Sequence, residues 1–432
     1  MLMDIQFIIN IIIFTATVIP YTLLYIRKYR LTPVSFFLMM QISFFYGICF
    51  APKGQWEQAI KLETLYVVVD ICYILGVELG RKVRTSKHTM GRGNFVDDEI
   101  DQNQRLTVWV ITIVSIIACA YLFIAGGINV FINSLIDFFR GSTEIYSQER
   151  AGFFGVSGQG YIYQFRTVLL PLCATYFLFA TQNKLPKVLS GGLFALMVIF
   201  LLGTGQRNAF VFYCAIVCVY MYLMWREHQI KIMSKKTLIV LGSFAVLFLA
   251  ILTISNNRVS SDGNMFIGAL ESLLDRFLGV NQRTAITAFR YIDTQPTVWG
   301  YDWWMMMMDI LPGKSGYLSV DRIVYYLSYG TYSGTGSPCL WGSAWYNFNF
   351  IGVTIFPLFI GYMYQNTYNK MIAFPNKNRF YMLLYSALCV YLGIWSYGTP
   401  MTLFNNGVVT VLLFRWIVFW FIPYGRKMFK FK

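Results

Sequence analysis

The chain has 432 residues, of which 57% are apolar and only 13% are charged. Soluble domains carry about 25% charged residues, so this composition excludes an ordinary water-soluble enzyme and predicts an all-α, polytopic membrane protein. The formal net charge is +15. A protein that reads DNA or RNA would gather such charge on one soluble face. Here the basic residues are scattered among short loops, and we expect no nucleic-acid partner.

Nearly continuous apolar runs predict eleven membrane-spanning helices, because about 20 apolar residues are needed to cross the hydrocarbon core. A twelfth span would follow if part of a long loop re-enters the membrane. We expect a single transmembrane domain over residues 1–432. In chain order the predicted spans cover residues 5–25, 34–51, 64–80, 106–126, 161–181, 188–204, 208–225, 237–254, 346–366, 380–397 and 404–423.

The orientation follows from lysine and arginine, which cytoplasmic loops contain in excess. If the N-terminus lies outside, the inner loops and the C-terminal tail hold 22 of the 35 basic residues. We therefore expect an outer N-terminus and a cytoplasmic C-terminus. Eight of the eleven basic residues in the outer loops are arginines. A planar guanidinium binds phosphate oxygens at two points, so this bias favours an anionic ligand at the outer face.

Two predicted outer loops are long, residues 127–160 and 255–345. Loops of this length are uncommon unless they are functional. The second is rich in tryptophan and tyrosine. Such aromatic residues anchor a protein at the membrane interface, and their rings also stack on the apolar faces of sugars. We expect amphipathic helices in these loops.

The segment Gly268–Tyr291 predicts one such helix, with Arg276, Arg283 and Arg290 recurring every seven residues. Residues seven apart stay on one side of a helix, with about 20° of drift at each step. Along that side of the helix only small side chains, such as Gly279 and Thr287, lie between the arginines, so an extended anion such as a lipid diphosphate fits along the row. An interfacial helix whose basic face meets lipid head groups is the alternative.

Three further arginines are candidates for the same ligand. Arg207 follows the Gly203–Gln206 turn, where glycines allow close backbone approach, although a simple snorkelling arginine is the alternative. Arg166 lies inside a predicted span, where an ionisable residue is costly and is a functional candidate. Arg150 lies in the first long outer loop.

The two histidines, His88 and His228, fall in inner loops. A general base at the outer face must therefore be a carboxylate of an outer loop or belong to the substrate. The best placed are Glu149, beside Arg150, and the pair Asp309 and Asp321. No cluster of histidine and carboxylate residues has the spacing of metal ligands, so we expect a metal-independent reaction without a cofactor. The outer-loop carboxylates are Asp137, Glu144, Glu149, Asp262, Glu271, Asp275, Asp293, Asp302, Asp309 and Asp321.

Three features together resemble the O-antigen polymerase (Wzy-type) family of oligosaccharide repeat-unit polymerases. They are the turn GTGQRN at Gly203–Asn208, the arginine-rich loop 255–345, and a glycine- and serine-rich segment that leads into a span, GTGSPCLWGSAWYNFNFIGVTIFPLFIGY at Gly334–Tyr362. The family's pattern of an arginine followed by a glycine about ten positions later is approximated twice, by Arg150 with Gly160 and by Arg290 with Gly300.

The resemblance implies a GT-C-like glycosyltransferase of the bacterial inner membrane. It would join undecaprenyl-diphosphate-linked repeat units into a surface polysaccharide at the outer face, in contact with membrane lipid and with a chain-length regulator. A carboxylate, Glu149, Asp309 or Asp321, would serve as base. The arginines that would bind the diphosphate are Arg150, Arg166, Arg207, Arg276, Arg283 and Arg290.

Other functions fit a polytopic chain of this size. A lipid-linked oligosaccharide flippase would have about twelve evenly spaced spans and internal symmetry, and no internal repeat is visible in the sequence. An O-antigen ligase would be expected to carry an outer-loop histidine, which the predicted topology lacks. A membrane receptor or scaffold would leave the row of arginines unexplained.

Overall fold

In the computed structural model, most of the residues that the structure describes are helical, and none of them forms a β-strand. The all-α class expected from the composition is confirmed. The structure describes residues 2–51, 53–86, 100–130, 132–133, 160–181, 186–202, 207–228, 242, 275–311, 316–332, 334–374 and 377–421.

Where the connection between two helices is described throughout, it is short. Several helices continue directly into a π-helical turn, in which the backbone hydrogen bonds span one residue more than in an α-helix. The helices are α1 Leu2–Tyr29, α2 Pro33–Ile48, α3 Trp56–Ser86, α4 Gln102–Leu122, α5 Gly160–Ala180, α6 Lys187–Leu202, α7 Arg207–His228, α8 Asn281–Ile292, α9 Tyr301–Met308, α10 Val320–Tyr329, α11 Cys339–Ala373, α12 Arg379–Ile394, α13 Met401–Asn405 and α14 Val408–Trp416.

Within the described ranges, five helices are long and apolar enough to cross a membrane: α1, α4, α5, α11 and α12. Four shorter apolar helices, α2, α6, α7 and α14, lie at predicted spans, and α3 covers another. The predicted span 237–254 lies outside the described residues apart from Gly242. The apolar helices are those of a membrane-embedded protein, whereas the number of eleven spans and their orientation stay predictions.

The contacts within the chain define two compact units. Unit 1 contains Met1–Gly93, Leu274–Phe374 and Tyr391–Leu403. Unit 2 contains Asn94–Leu273, Pro375–Val390 and Phe404–Lys432. The single transmembrane domain expected over residues 1–432 stays a prediction.

Unit 1 is built on close contact between α3 and α11. A Cβ atom on Gly76 would clash with the carbonyl oxygen of Leu358, and a Cβ atom on Gly361 would clash with that of Tyr73. Gly76 and Gly80 are four residues apart, the spacing that lets helix backbones approach closely in membranes. These glycines therefore bring the two helices into direct backbone contact.

In unit 2, α4 and α5 pack through aromatic and small side chains. The rings of Trp109 and Phe177 have centroids 4.2 Å apart. The start of α4 is fixed by Asp101, whose side chain accepts hydrogen bonds from the backbone N–H groups of Asn103 and Gln104. Such a cap satisfies donors that have no partner within the helix.

Candidate functional site

A bend in α11 organises the segment of unit 1 that contains α8, α9 and α10. Asn349 has φ 51° and ψ −134°, so α11 consists of two helical segments that meet at this residue. A bend interrupts the hydrogen bonds of the preceding turn. The carbonyl oxygens of Tyr346 and Asn347 accept instead from the backbone N–H groups of Val298 (3.2 Å) and Gly300 (3.1 Å). The chain before α9 is therefore tied to the first part of α11.

The beginning of α9 is held on the same part of α11 by side chains. The indole Nε1–H of Trp303 donates to the Ser343 hydroxyl at 2.7 Å. The backbone N–H of Trp303 donates to Asn347 Oδ1 at 3.2 Å. Asn347 in turn donates from Nδ2 to the Ser343 carbonyl oxygen at 2.9 Å. These bonds fix the position of the neighbouring residue, Asp302.

Asp302 connects α9 to the start of α10. Its Oδ1 accepts hydrogen bonds from the backbone N–H of Val320 (3.0 Å) and from the Tyr317 hydroxyl (3.1 Å). Val320 is the first residue of α10, so the Asp302 carboxylate satisfies an N–H group that has no partner within the helix. Burial raises the pKa of Asp302 above its usual value, while these hydrogen bonds act in the opposite direction.

Asp321 stands in the first turn of α10, next to Val320. Its Oδ2 accepts a hydrogen bond from the Thr399 hydroxyl at 3.1 Å, whereas its shielded Oδ1 has no hydrogen-bond partner among the described residues. The pKa of Asp321 is raised to about 7, mainly by burial and also by the negative charge of Asp302, while the Thr399 hydroxyl opposes the rise. A carboxylate with a free oxygen and a pKa near neutrality has the properties of a general base.

The glycine-rich segment before α11 lies flat on α10. A Cβ atom on Gly334 would clash with the Tyr325 ring, and one on Gly336 would lie 3.0 Å from Val324 Cγ1. The backbone N–H of Gly336 donates to the Asp321 carbonyl oxygen at 2.9 Å. The glycines of the GTGSP sequence thus allow this segment to pass beside Asp321.

Two of the predicted arginines lie on the exposed side of α8. Arg283 and Arg290 are exposed, seven residues apart, while the opposite side of the helix is buried. The segment 276–280 is a π-helical turn rather than the α-helix expected from the pattern. This turn adds one residue, so Asp275 aligns with Arg283 eight positions later, and the two form an ion pair.

α8 and α10 pack side by side in opposite directions. Arg283, near the start of α8, interacts electrostatically with Tyr329 at the end of α10. Ile292 at the end of α8 shares a hydrophobic cluster with Val320 at the start of α10. The end of α8 that carries Arg290 is therefore the end of the helix pair that carries Asp321.

Asp309 caps the opposite end of α9 from Asp302. A carboxylate there faces the negative end of the helix dipole, and the structure does not bring Asp309 into the group formed by Asp302, Asp321 and Thr399. Arg166 belongs to unit 2. It is fully buried, with its guanidinium 5.1 Å from the centre of the Tyr163 ring.

The other predicted site residues fall where the structure gives no side-chain detail. Glu149 and Arg150 lie outside the described residues. Arg207 begins α7 and Arg276 begins the π-helical turn, but only their backbone is described. Most of the outer loop 127–160 and residues 251–274 are also outside the described ranges. Within those ranges, no three histidine, cysteine or carboxylate residues come together as a metal site.

Two residues of this site, Asp302 and Thr399, could not be singled out from the sequence. Asp302 was one of ten outer-loop carboxylates, without a local feature that set it apart. Thr399 follows a predicted span and contacts Asp321, which is 78 positions earlier. Only the proline and glycine around Thr399 indicate a turn there.

Comparisons of the chain with family models, curated proteins and solved structures find no match.

Proposed function

We propose that this protein is a membrane glycosyltransferase that polymerises undecaprenyl-diphosphate-linked oligosaccharide repeat units. The reaction takes place at the outer face of the bacterial inner membrane and yields a surface polysaccharide. In this proposal the chain has a GT-C-like arrangement of about eleven spans, an outer N-terminus and a cytoplasmic C-terminus. A chain-length regulator is its expected protein partner.

The observation that carries the proposal is the Asp321 carboxylate, which has one free, shielded oxygen and a pKa of about 7. A base with this pKa accepts a proton at neutral pH and is partly ionised there. The helix packed beside α10 exposes Arg283 and Arg290. This combination of a base and cations suits transfer of a sugar from a diphosphate.

The proposed step is a displacement at the anomeric carbon of the growing chain. A sugar hydroxyl of the incoming repeat unit forms the new glycosidic bond and gives its proton to the Oδ1 of Asp321. The bond between the anomeric carbon and the phosphate oxygen breaks, and undecaprenyl diphosphate leaves with both bonding electrons. Fixed cations lower the barrier most where this negative charge develops, which is the role proposed for the arginines of α8.

The arginines also explain how the reaction proceeds without a metal ion. A divalent cation commonly neutralises a departing phosphate, and guanidinium groups supply the same charge with directed hydrogen bonds. The resemblance gives the same role to Arg150, Arg166, Arg207 and Arg276, which stays a prediction for each of them.

The test is elongation of lipid-linked repeat units by the purified protein in lipid nanodiscs, with and without a chelator. The repeat units are extracted from a host strain that lacks this gene. We expect Asp321→Asn to lower the rate by about 10²–10⁴-fold, the usual contribution of a general base. Asp293→Asn is the matched control, because Asp293 is exposed and forms a surface ion pair with Lys61.

Polymer formation by the wild type with EDTA present, lost in Asp321→Asn and kept in Asp293→Asn, supports the proposal. Elongation at the wild-type rate by Asp321→Asn removes Asp321 as the base. Absence of elongation in the wild type, together with transfer of the lipid-linked unit across the bilayer, identifies a flippase instead.

A further inference from the structure

A second polar group lies in the interior of unit 1. It is formed by α2 and α3, which pack antiparallel through two pairs of stacked rings. Phe37 stacks on Tyr73 with centroids 4.7 Å apart, and Phe44 stacks on Tyr66 with centroids 5.0 Å apart. The two pairs show which residues of α2 lie opposite which residues of α3.

Between these ring pairs each helix carries one polar side chain. Gln41 is four residues after Phe37 and three before Phe44, so it lies on the same face of α2 as both rings. Asp70 is four residues after Tyr66 and three before Tyr73, so it lies on the corresponding face of α3. Gln41 and Asp70 therefore lie at the same level of the two facing helices, between the two ring pairs.

Both side chains are completely buried. Neither carboxylate oxygen of Asp70, and neither the nitrogen nor the oxygen of the Gln41 amide, has a hydrogen-bond partner among the described residues. The hydroxyl of Tyr73 also lacks a partner within those ranges. Buried polar groups are otherwise nearly always hydrogen-bonded, and an isolated buried carboxylate is costly unless it is neutralised.

We propose that Asp70 and Gln41 bind a small monovalent metal cation, sodium. Their oxygens, with the hydroxyl of Tyr73, are the hard ligands that such ions prefer. One carboxylate balances one positive charge, so the occupied site is neutral within apolar surroundings, as a buried ion pair requires. A divalent ion would leave the site with a net charge. The bound cation would hold α2 against α3.

Glu63 provides a control for the proposed cation site. It is also fully buried on α3, with one oxygen that lacks a partner among the described residues. Its other oxygen accepts from the thiol of Cys49 at 3.5 Å. Glu63 is seven residues from Asp70, about 10 Å along the helix axis, which is too far to share the ion. Glu63→Gln therefore removes a buried carboxylate without removing a ligand.

The experiment measures the melting temperature of the purified full-length protein in nanodiscs at pH 7, in sodium chloride and in choline chloride. Binding of radioactive sodium by the same samples is measured by scintillation proximity.

If sodium is the ligand, the wild type binds it saturably and melts at a higher temperature in sodium chloride. Asp70→Asn removes both effects, Gln41→Leu weakens the binding about tenfold, as expected for loss of one bond to a charged group, and Glu63→Gln keeps both effects.

The proposal is overturned if the wild type does not respond to sodium, or if Asp70→Asn keeps the response. Should Asp70→Asn fail to fold, the wild-type binding measurement and Gln41→Leu decide the result. None of these measurements depends on polysaccharide synthesis. If the proposed polymerase activity is disproved, the cation site is unaffected. If the cation site is disproved, the proposed polymerase activity is unaffected.

Discussion

Asp275 and Arg283 form a two-point ion pair directly over Gly279. Arg283 donates from Nη1 to Asp275 Oδ1 at 2.8 Å and from Nη2 to Oδ2 at 2.7 Å. A Cβ atom on Gly279 would clash with the Asp275 carboxylate. The guanidinium of Arg283 also holds the pKa of Asp275 below its usual value. In the proposed reaction, the lipid diphosphate has to replace this internal carboxylate.

Asp275→Asn is therefore expected to strengthen binding of the lipid-linked donor. An exposed ion pair contributes about 0.2–1 kcal/mol, so the KM for the donor should fall by up to about fivefold, with little change in the melting temperature. Initial rates of elongation at varied donor concentration measure this. Arg283→Ala serves as the opposite case and should raise the KM. A lower KM in both variants would contradict the role of Arg283.

Thr399→Val should move the dependence of the rate on pH. The Thr399 hydroxyl stabilises the ionised form of Asp321, so its loss raises the pKa of Asp321 above about 7. A hydrogen bond of about 1 kcal/mol corresponds to a shift of somewhat less than one pH unit. The rate should fall at pH 7 and recover at pH 9. Thr399→Ser retains the hydroxyl and should keep the wild-type profile. A loss of rate that is equal at every pH would indicate structural damage instead.

Asp321→Asn should change how stability depends on pH. The pKa of Asp321 is raised from 3.8 to about 7 in the folded protein. Between these values the folded state keeps a proton that the unfolded chain has released, so the free energy of unfolding falls as the pH rises. Melting temperatures in detergent should show the wild type losing stability relative to Asp321→Asn from pH 4 to pH 7, by at most about 4 kcal/mol. Parallel curves would show that Asp321 has an ordinary pKa.

Two matched substitutions at Asn349 test whether the bend in α11 strains the backbone. Asn349 has a positive φ, a region that glycine adopts readily and other residues adopt only at a cost. Asn349→Gly and Asn349→Ala both remove the hydrogen bond to Thr297. They differ in the Cβ atom alone. The glycine variant should be more stable by about 1–3 kcal/mol, measured as the difference in melting temperature. Equal stability would mean that the bend imposes no strain.

The sequence predicts the transmembrane helices well because the bilayer dictates both their length and their composition. It places the start of the span in α11 at residue 346, whereas the helix begins at Cys339. The segment before 346 is tied to α9 through Ser343 and Asn347, contacts that no local pattern reveals. The bend at Asn349 has the same origin, because Val298 and Gly300 supply the hydrogen bonds that make it possible.

The site is predicted less completely. Asp321 could be named because it flanks a proline–glycine turn, and Arg283 and Arg290 because they recur every seven residues. What raises the pKa of Asp321 is its burial and the nearby charge of Asp302. These effects arise from packing between elements that are distant in the chain. The ion pair of Arg283 depends on a π-helical turn, which the seven-residue pattern did not anticipate.

The bend in α11 divides this helix into two parts. The part before Asn349 holds Trp303, and through α9 the carboxylate of Asp302. The part after Asn349 belongs to a helix apolar enough to cross a membrane, and such a helix tilts when the thickness of the bilayer changes. In the proposed enzyme we expect the bend to absorb this tilt. The reacting groups then keep their arrangement, and activity should vary little among nanodiscs made from acyl chains of different length.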